Sequence, residues 1–369
     1  IVGPALGGWI TDNLNWRWIF YINIPVGLFA AAMCTLFIFD PAYLRQGMAK
    51  ARTIDYWGLL LLTASMGSLQ VVLDKGQQED WFNSSFIITF SIVTLVSLLA
   101  LLWVELTHPH PIVNLRLFKS ISYSAGNLVM FVVGFCLYSS IMLIPLFLQT
   151  LMGYSATDAG MVMAPGGVAT LITMPFVGAM LQKRDGRKIV LVGLIIGASA
   201  MYLMHQLDLQ ASYWAFVWPR IVLGIGLAMI FVPLTTVTLT GIERTEMGNA
   251  TGIFNLLRNI GGSVGIAIAA TLLARFSQFY QTNLAAHVTP YNPLFQQRFS
   301  ELKQALIAKG MSVPQAEQTA LGKLYGLIHQ QAAALAYNRI FFIIGLAFLA
   351  IIPFLLLLKR PKQIGRAHV

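Results

Sequence analysis

The chain has 369 residues, of which 57% are hydrophobic and only 10% charged, and its mean hydropathy is +0.71. Soluble domains carry roughly 25% charged residues, so an ordinary water-facing surface is excluded, and with it any domain count taken from length alone. The formal net charge of +10 sits in short clusters between apolar runs, with no basic face interleaved with aromatics, which points to anionic lipid and away from nucleic acid.

A helix that crosses a membrane needs about 20 mostly apolar residues. In chain order, nine stretches qualify: Trp16–Phe39, Ile54–Leu73, Phe86–Val104, Ser122–Leu148, Ala159–Leu181, Ile189–Leu207, Tyr213–Thr240, Ala250–Ala274 and Asn338–Leu358. The opening Ile1–Thr11 is too short to cross and reads as the last turns of a tenth. The fold class is therefore an all-α polytopic membrane bundle. Cys34 and Cys136 fall inside apolar runs and are expected to be packing residues. The chain begins at Ile1 without a signal peptide, and its tail, Ile364 to Val369, looks like a translated sequencing adapter. The expectation is a piece of a longer reading frame, with residues 363–369 set aside as a sequencing artefact.

Alternate loops hold the basic residues: Arg45, Lys50 and Arg52; Arg116 and Lys119; Lys183, Arg184, Arg187 and Lys188; Arg244; then Lys359, Arg360 and Lys362. The intervening short loops hold only Arg17 and Lys75, beside Asp74, Glu79 and Asp80. Lys and Arg accumulate on the cytoplasmic side, so the first set faces inward. One outer segment, Arg275–Tyr337, is long and too polar to cross. Phe299, Leu302 and Leu306 recur there at helical spacing, and Ser312, Pro314 and Gln315 resemble a capped helix start. Two amphipathic helices outside the membrane are expected, either solvated on the outer mouth or offering a docking surface.

Gly3 and Gly7, and Gly7 with Ile10 or Thr11, share a helix face, so a neighbour can lie almost on the backbone. The neighbour is expected to be Ala159–Leu181. Pro4 removes an amide and can kink the helix, and Gly8 completes the run. An interfacial aromatic band follows, Trp16-Arg17-Trp18-Ile19-Phe20-Tyr21, and then Ile22-Asn23-Ile24-Pro25-Val26-Gly27. Further along, Asn127 and Gln149 are polar positions on one long segment beside Phe131, Phe135, Met142 and Phe147. They fit either an adaptable cavity wall for bulky apolar compounds or plain packing.

The stretch from Gly3 to Gly27, with Gly3, Pro4, Gly7 and Gly8 matching residue by residue, closely resembles the antiporter signature of the major facilitator superfamily, in its EmrB/QacA-like drug:proton antiporter form. The resemblance covers Ile1 to Lys362. It implies a fourteen-helix transporter in which residues 1–39 end the first bundle, starting in its fifth helix. Residues 54–104 are then an inserted helix pair, and residues 122–362 the second bundle, with 275–337 as its outer loop. It also implies alternating access around a midplane site in the bacterial inner membrane. The work would be export of amphipathic or cationic small molecules, with no cofactor beyond the proton gradient. A periplasmic membrane-fusion adaptor and an outer-membrane channel are the protein partners it implies. Export of one specific metabolite or siderophore is the second reading. A membrane enzyme or scaffold is the third; it should carry a His or acid cluster at a membrane face, and the sequence shows none.

Three later stretches are similar to second-half echoes of superfamily motifs. Gly178, Lys183, Arg184, Asp185, Gly186, Arg187 and Lys188 resemble the cytoplasmic gating loop, with Lys183 where that pattern has its aspartate. Arg220, followed by Gly224, Gly226 and Pro233, resembles a motif whose arginine faces the transport path; the alternative is an arginine snorkelling to the outer interface. Gly252, Asn255, Arg258, Asn259, Gly261, Gly262 and Gly265 resemble the partner of the antiporter helix, so that Asn255 and Arg258 either line the cavity or satisfy each other. No carboxylate falls in the middle of a segment. The proton-coupling acid is expected upstream of Ile1, with Asp12, Asp55 or Asp158 as interfacial alternatives. Neither a metal-ligand spacing nor a nucleotide-binding loop is present.

Overall fold

The computed structural model describes residues 3–37, 55–107, 112–289 and 291–359. The basic cluster at Arg45, Lys50 and Arg52, the pair His108 and His110, and everything from Arg360 onward lie outside the described residues. The chain runs through α1 (Gly3–Asn13), α2 (Trp18–Tyr21), α3 (Asn23–Phe37), α4 (Tyr56–Lys75), α5 (Ser85–Thr107), α6 (Ile121–Thr150) and α7 (Ala156–Lys183). It continues through α8 (Gly186–His205), α9 (Tyr213–Leu239), α10 (Met247–Ala286), α11 (Pro293–Ala308) and α12 (Val313–Ala350), then a 3-10 segment, Ile352–Leu357. Among the described residues nine helices are long and apolar enough to cross a membrane, matching the nine stretches read from the sequence.

Local chemistry sets the helix starts. Asp55 accepts from the Gly58 amide, Ser120 from Tyr123, Ser155 from Asp158 and Asp185 from Arg187, each satisfying an amide that a first turn leaves open. Pro145, Pro165, Pro175, Pro219 and Pro233 lie inside helices, where packed neighbours compensate for lost hydrogen bonds.

The outer segment differs from expectation. Residues 275–337 do not form a loop with two separate helices. α10 continues outward to Ala286 and α12 begins at Val313, so only α11 stands apart. No Gly or Pro interrupts residues 275–286, and extending a helix avoids the cost of ending it. Val313 confirms the predicted start, but Ser312 makes no side-chain cap, so the capping box does not form. Phe299, Leu302 and Leu306 do form the buried face of α11, against Ala316 and Ala320, with Lys303 Nζ donating to Glu317 at 2.9 Å.

The core lies among α6 to α10 and α12, with Phe147, Met201, Leu234 and Phe348 enclosed. Cys136 is buried there, as expected of a packing residue; Cys34 is exposed on α3, which buries no residue. Long-range hydrogen bonds agree with the orientation from charge. Outer ends meet outer ends, as Gln330 with the Leu151 carbonyl (2.7 Å) and Asn338 with that of Leu207 (2.8 Å). Inner ends meet inner ends, as Asn114 with Glu246 (3.1 Å) and the Lys359 amide with Ser122 (2.9 Å).

Candidate functional site

The α7–α9 pair is joined backbone to backbone. Gly224 faces the Gly166 carbonyl so closely that a methyl could not fit, and Thr170 Oγ1 donates to the carbonyls of Gly166 (2.9 Å) and Gly224 (3.0 Å). Gly166 in turn lies on the Arg220 carbonyl, which fixes Arg220 at this seam. Its side chain is only 7% exposed, and Nε and Nη1 have no hydrogen-bond partner. The guanidinium is enclosed by protein rather than extended to the outer interface. Leaving charged donors buried and unmatched costs about 1–3 kcal/mol or more.

The α6–α10 pair is joined in the same way. Gly134 meets the Arg258 carbonyl, Gly261 that of Phe131, Gly262 the Tyr138 ring and Gly265 the Phe135 carbonyl. Arg258 is half-buried with Nε unpartnered, and Asn255 is half-buried nearby in sequence. Asn127 is buried; its Nδ2 donates to the Tyr123 carbonyl at 2.9 Å, while Oδ1 has no partner. Phe131 is half-buried, whereas Gln149 is exposed at the outer end of α6. Phe147 is core: its ring packs on Phe216 (5.6 Å) and Tyr337 (5.2 Å). Glycine seams thus hold Arg220 on one helix pair, and Asn127, Phe131 and Arg258 on another.

The gating-loop residues fall into two groups. Gly178 has open space around it, and Arg184 and Lys188 are exposed. Asp185 and Arg187 pair at 2.8 Å, the Arg187 amide donates to Asp185, and Arg187 Nη1 donates to the Leu358 carbonyl at 3.0 Å. The turn at Gly186 is thereby tied to the residue that follows the 3-10 segment.

Helix α1 packs on α7, the segment expected, but on a different face. Gly3 and Gly7 have nothing within 4 Å of an added Cβ, whereas Gly8 lies on the Ala156 carbonyl and Gly160 on that of Pro4. Two polar features were not foreseen. Asp12 of α1 accepts from the Thr157 amide of α7 at 2.7 Å. At the inner face, Asp55 and Glu105 are both buried and both carboxylates lie where a Cβ on Gly58 would stand, and Glu105 Oε2 accepts from the Val113 amide at 3.1 Å. Only chain folding brings these residues together, so periodicity does not show them. A groove of about 380 Å³ between the outer ends of α10 and α12 and helix α11 lies apart from both glycine seams.

Comparison with known proteins gives consistent relatives. The family model for the Major Facilitator Superfamily matches residues 1–266. The chain is 34% identical over 366 residues to the multidrug export protein EmrB of Escherichia coli (strain K12), covering 99% of this chain and 69% of that protein. It is 34% identical over 367 residues to the fatty acid resistance protein FarB of Neisseria gonorrhoeae, covering 99% and 70%. A solved bacterial homolog of the human lysosomal transporter Spinster, inward-facing and occupied, aligns with a TM-score of 0.48 at 16% identity, over 81% of this chain and 64% of that one.

Proposed function

The chain belongs to the major facilitator superfamily, as a multi-pass protein of the bacterial inner membrane, and from that premise we propose that it is a secondary transporter for multidrug efflux, driven by proton entry. EmrB is a multidrug export protein, and LmrB of Listeria monocytogenes is a lincomycin resistance protein. The observation that carries the reading is Arg220: a cation enclosed in a membrane helix with two unpartnered nitrogens. Such a group is costly and is retained where it does work. It can receive an acceptor-bearing part of a substrate, or a carboxylate whose proton it helps to expel by favouring the charged form.

In this reading residues 3–37 belong to the first bundle, the α4–α5 pair is the insertion, and α6 to α12 are the second bundle, rocking against the first. Asn127, Phe131, Asn255, Arg258 and Gln149 line or border the path, the Asp185–Arg187 turn steadies the inner end, and an adaptor with an outer-membrane channel receives the product. The proton gradient supplies the energy and no cofactor takes part. The buried, unpaired guanidinium also favours a second reading: export of one acid-bearing metabolite or siderophore. Dye efflux from cells expressing the full-length protein tests the first. Efflux should collapse when an uncoupler dissipates the proton gradient, and efflux that persists would overturn it. Competition by a panel of cationic and acidic amphiphiles separates the two substrate readings.

A further inference from the structure

Asp12 stands near the outer end of α1, and Ser155, Ala156 and Thr157 open α7 on the same side by the distribution of Lys and Arg. Although 145 positions apart in sequence, the Asp12 carboxylate accepts from the Thr157 amide at 2.7 Å. A helix start offers unpaired amides and the positive end of the helix dipole, so an anion is favoured there. Ser155 serves the Asp158 amide, at 3.0 Å, and leaves the Thr157 amide to be capped from the other helix. Deeper in, Gly8 and Gly160 bring the two backbones together without any hydrogen bond. The contact is therefore a smooth glycine seam with one charge-assisted bond at its rim, on a carboxylate that is open to water.

We propose that Asp12 is the latch of the outer gate: seated on the first turn of α7, it holds α1 and α7 together while the path is closed to the outside, and it leaves that turn when the path opens outward. The proposal rests on the alternating-access reading above and makes Asp12 a positioning residue. The charged groups nearby are Asp158, whose Oδ2 accepts from the Ser155 hydroxyl at 2.8 Å, and Arg17, which lies over the Trp16 ring at 5.5 Å. Among the described residues no ion pair neutralises Asp12.

Hydrogen bonds, first that from Thr157, hold the Asp12 carboxyl below its ordinary value. A carboxyl lowered in the latched state stabilises that state at every pH above its unlatched pKa, and the contribution is lost only as pH falls through the lower, latched value. At neutral pH the group is ionised in both states. It latches without carrying the transported proton, so it is a poor candidate for the coupling acid.

Spin labels at Leu14→Cys and Met161→Cys, in full-length protein carrying Cys34→Ser and Cys136→Ala, report the α1–α7 separation with no transport required. Charge-assisted bonds of this kind hold equilibria by about tenfold. Asp12→Ala should raise the long-distance fraction, relative to the short one, by about that factor. Asp12→Asn keeps an acceptor without the charge and should fall between wild type and alanine. The wild-type distribution should not change between about pH 5 and pH 8, above the ordinary carboxylate range. A distribution in Asp12→Ala that matches wild type overturns the latch, whatever efflux does, and so does wild-type opening that titrates near neutral pH. If the labels separate as stated but efflux ignores the proton gradient, the transport reading fails and the latch stands.

Discussion

The α6–α10 and α7–α9 pairs and the α4–α5 pair are built from similarly apolar helices, yet they are joined by different chemistry. In the first two, glycines lie on the partner's carbonyls: Gly134 on Arg258, Gly261 on Phe131, Gly224 on Gly166. In the α4–α5 pair the seam holds Ser65, Ser68, Thr94 and Ser97, whose hydroxyls mostly donate to carbonyls of their own helix. One bond crosses that seam, Thr94 to Ser68 at 2.8 Å, and one ties the pair to α10, Ser263 to Gln70 at 2.7 Å. Lipid tails are as apolar as the helices, so association depends on closeness and hydrogen bonds. Glycine seams define one register and place Arg220 and Arg258 in it. A self-satisfied hydroxyl seam makes a hairpin that leans on the bundle and leaves Trp57, Leu95 and Trp103 facing outward.

That contrast ranks the expected effects. The largest is overpacking of a glycine seam. Gly261→Val would drive a side chain into the Phe131 backbone and should cost about 1–3 kcal/mol or more. A thermal melt in detergent should show a clear drop for this variant and little change for Gly178→Ala, whose site is open. Next is Arg220→Met, which replaces a buried, unmatched charge with an apolar chain of similar length. Melting should be unchanged or higher, because the desolvation cost disappears, while efflux is lost. Stability and activity moving together would make Arg220 a structural anchor.

A smaller effect is expected at the inner end. Arg187→Ala removes the donor to the Leu358 carbonyl and should cost about 1 kcal/mol. Hydrogen exchange should quicken at residues 352–358 and leave α11 unaffected. The smallest is at the α4–α5 pair: a double-mutant cycle on Gln70→Ala and Ser263→Ala should give a coupling of about 0.6 kcal/mol, typical of polar contacts between membrane helices. A coupling several times larger would mean that the pair is locked to α10 rather than leaning on it.

Much of this architecture is legible in the sequence. Apolar run length marks all nine crossing helices, and the alternation of Lys and Arg orients them, because each signal is local and is set by lipid. The partner of α1 was also legible, from the small-residue spacing. The face was not: Gly3, Gly7 and Gly8 are equivalent as glycines, and only the approach angle of α7 selects Gly8. The outward run of α10 was missed because polarity marks where lipid ends and not where a helix ends. The Asp185–Arg187 pair was hidden for a related reason, since an acid two residues from Arg187 meets it only once the turn at Gly186 forms. Nothing local joins Asp12 to Thr157, or brings Glu105 to Gly58; those placements come from tertiary packing.

Proton-coupled export through a path that includes Arg220 is tested most directly by counter-transport in proteoliposomes containing the full-length protein. With a pH gradient imposed, wild type should move a fluorescent substrate uphill while protons move the other way, and both fluxes should vanish together in a folded, membrane-inserted Arg220→Ala protein. Substrate and proton fluxes in Arg220→Ala equal to those of wild type, or substrate movement that ignores the gradient, would contradict it.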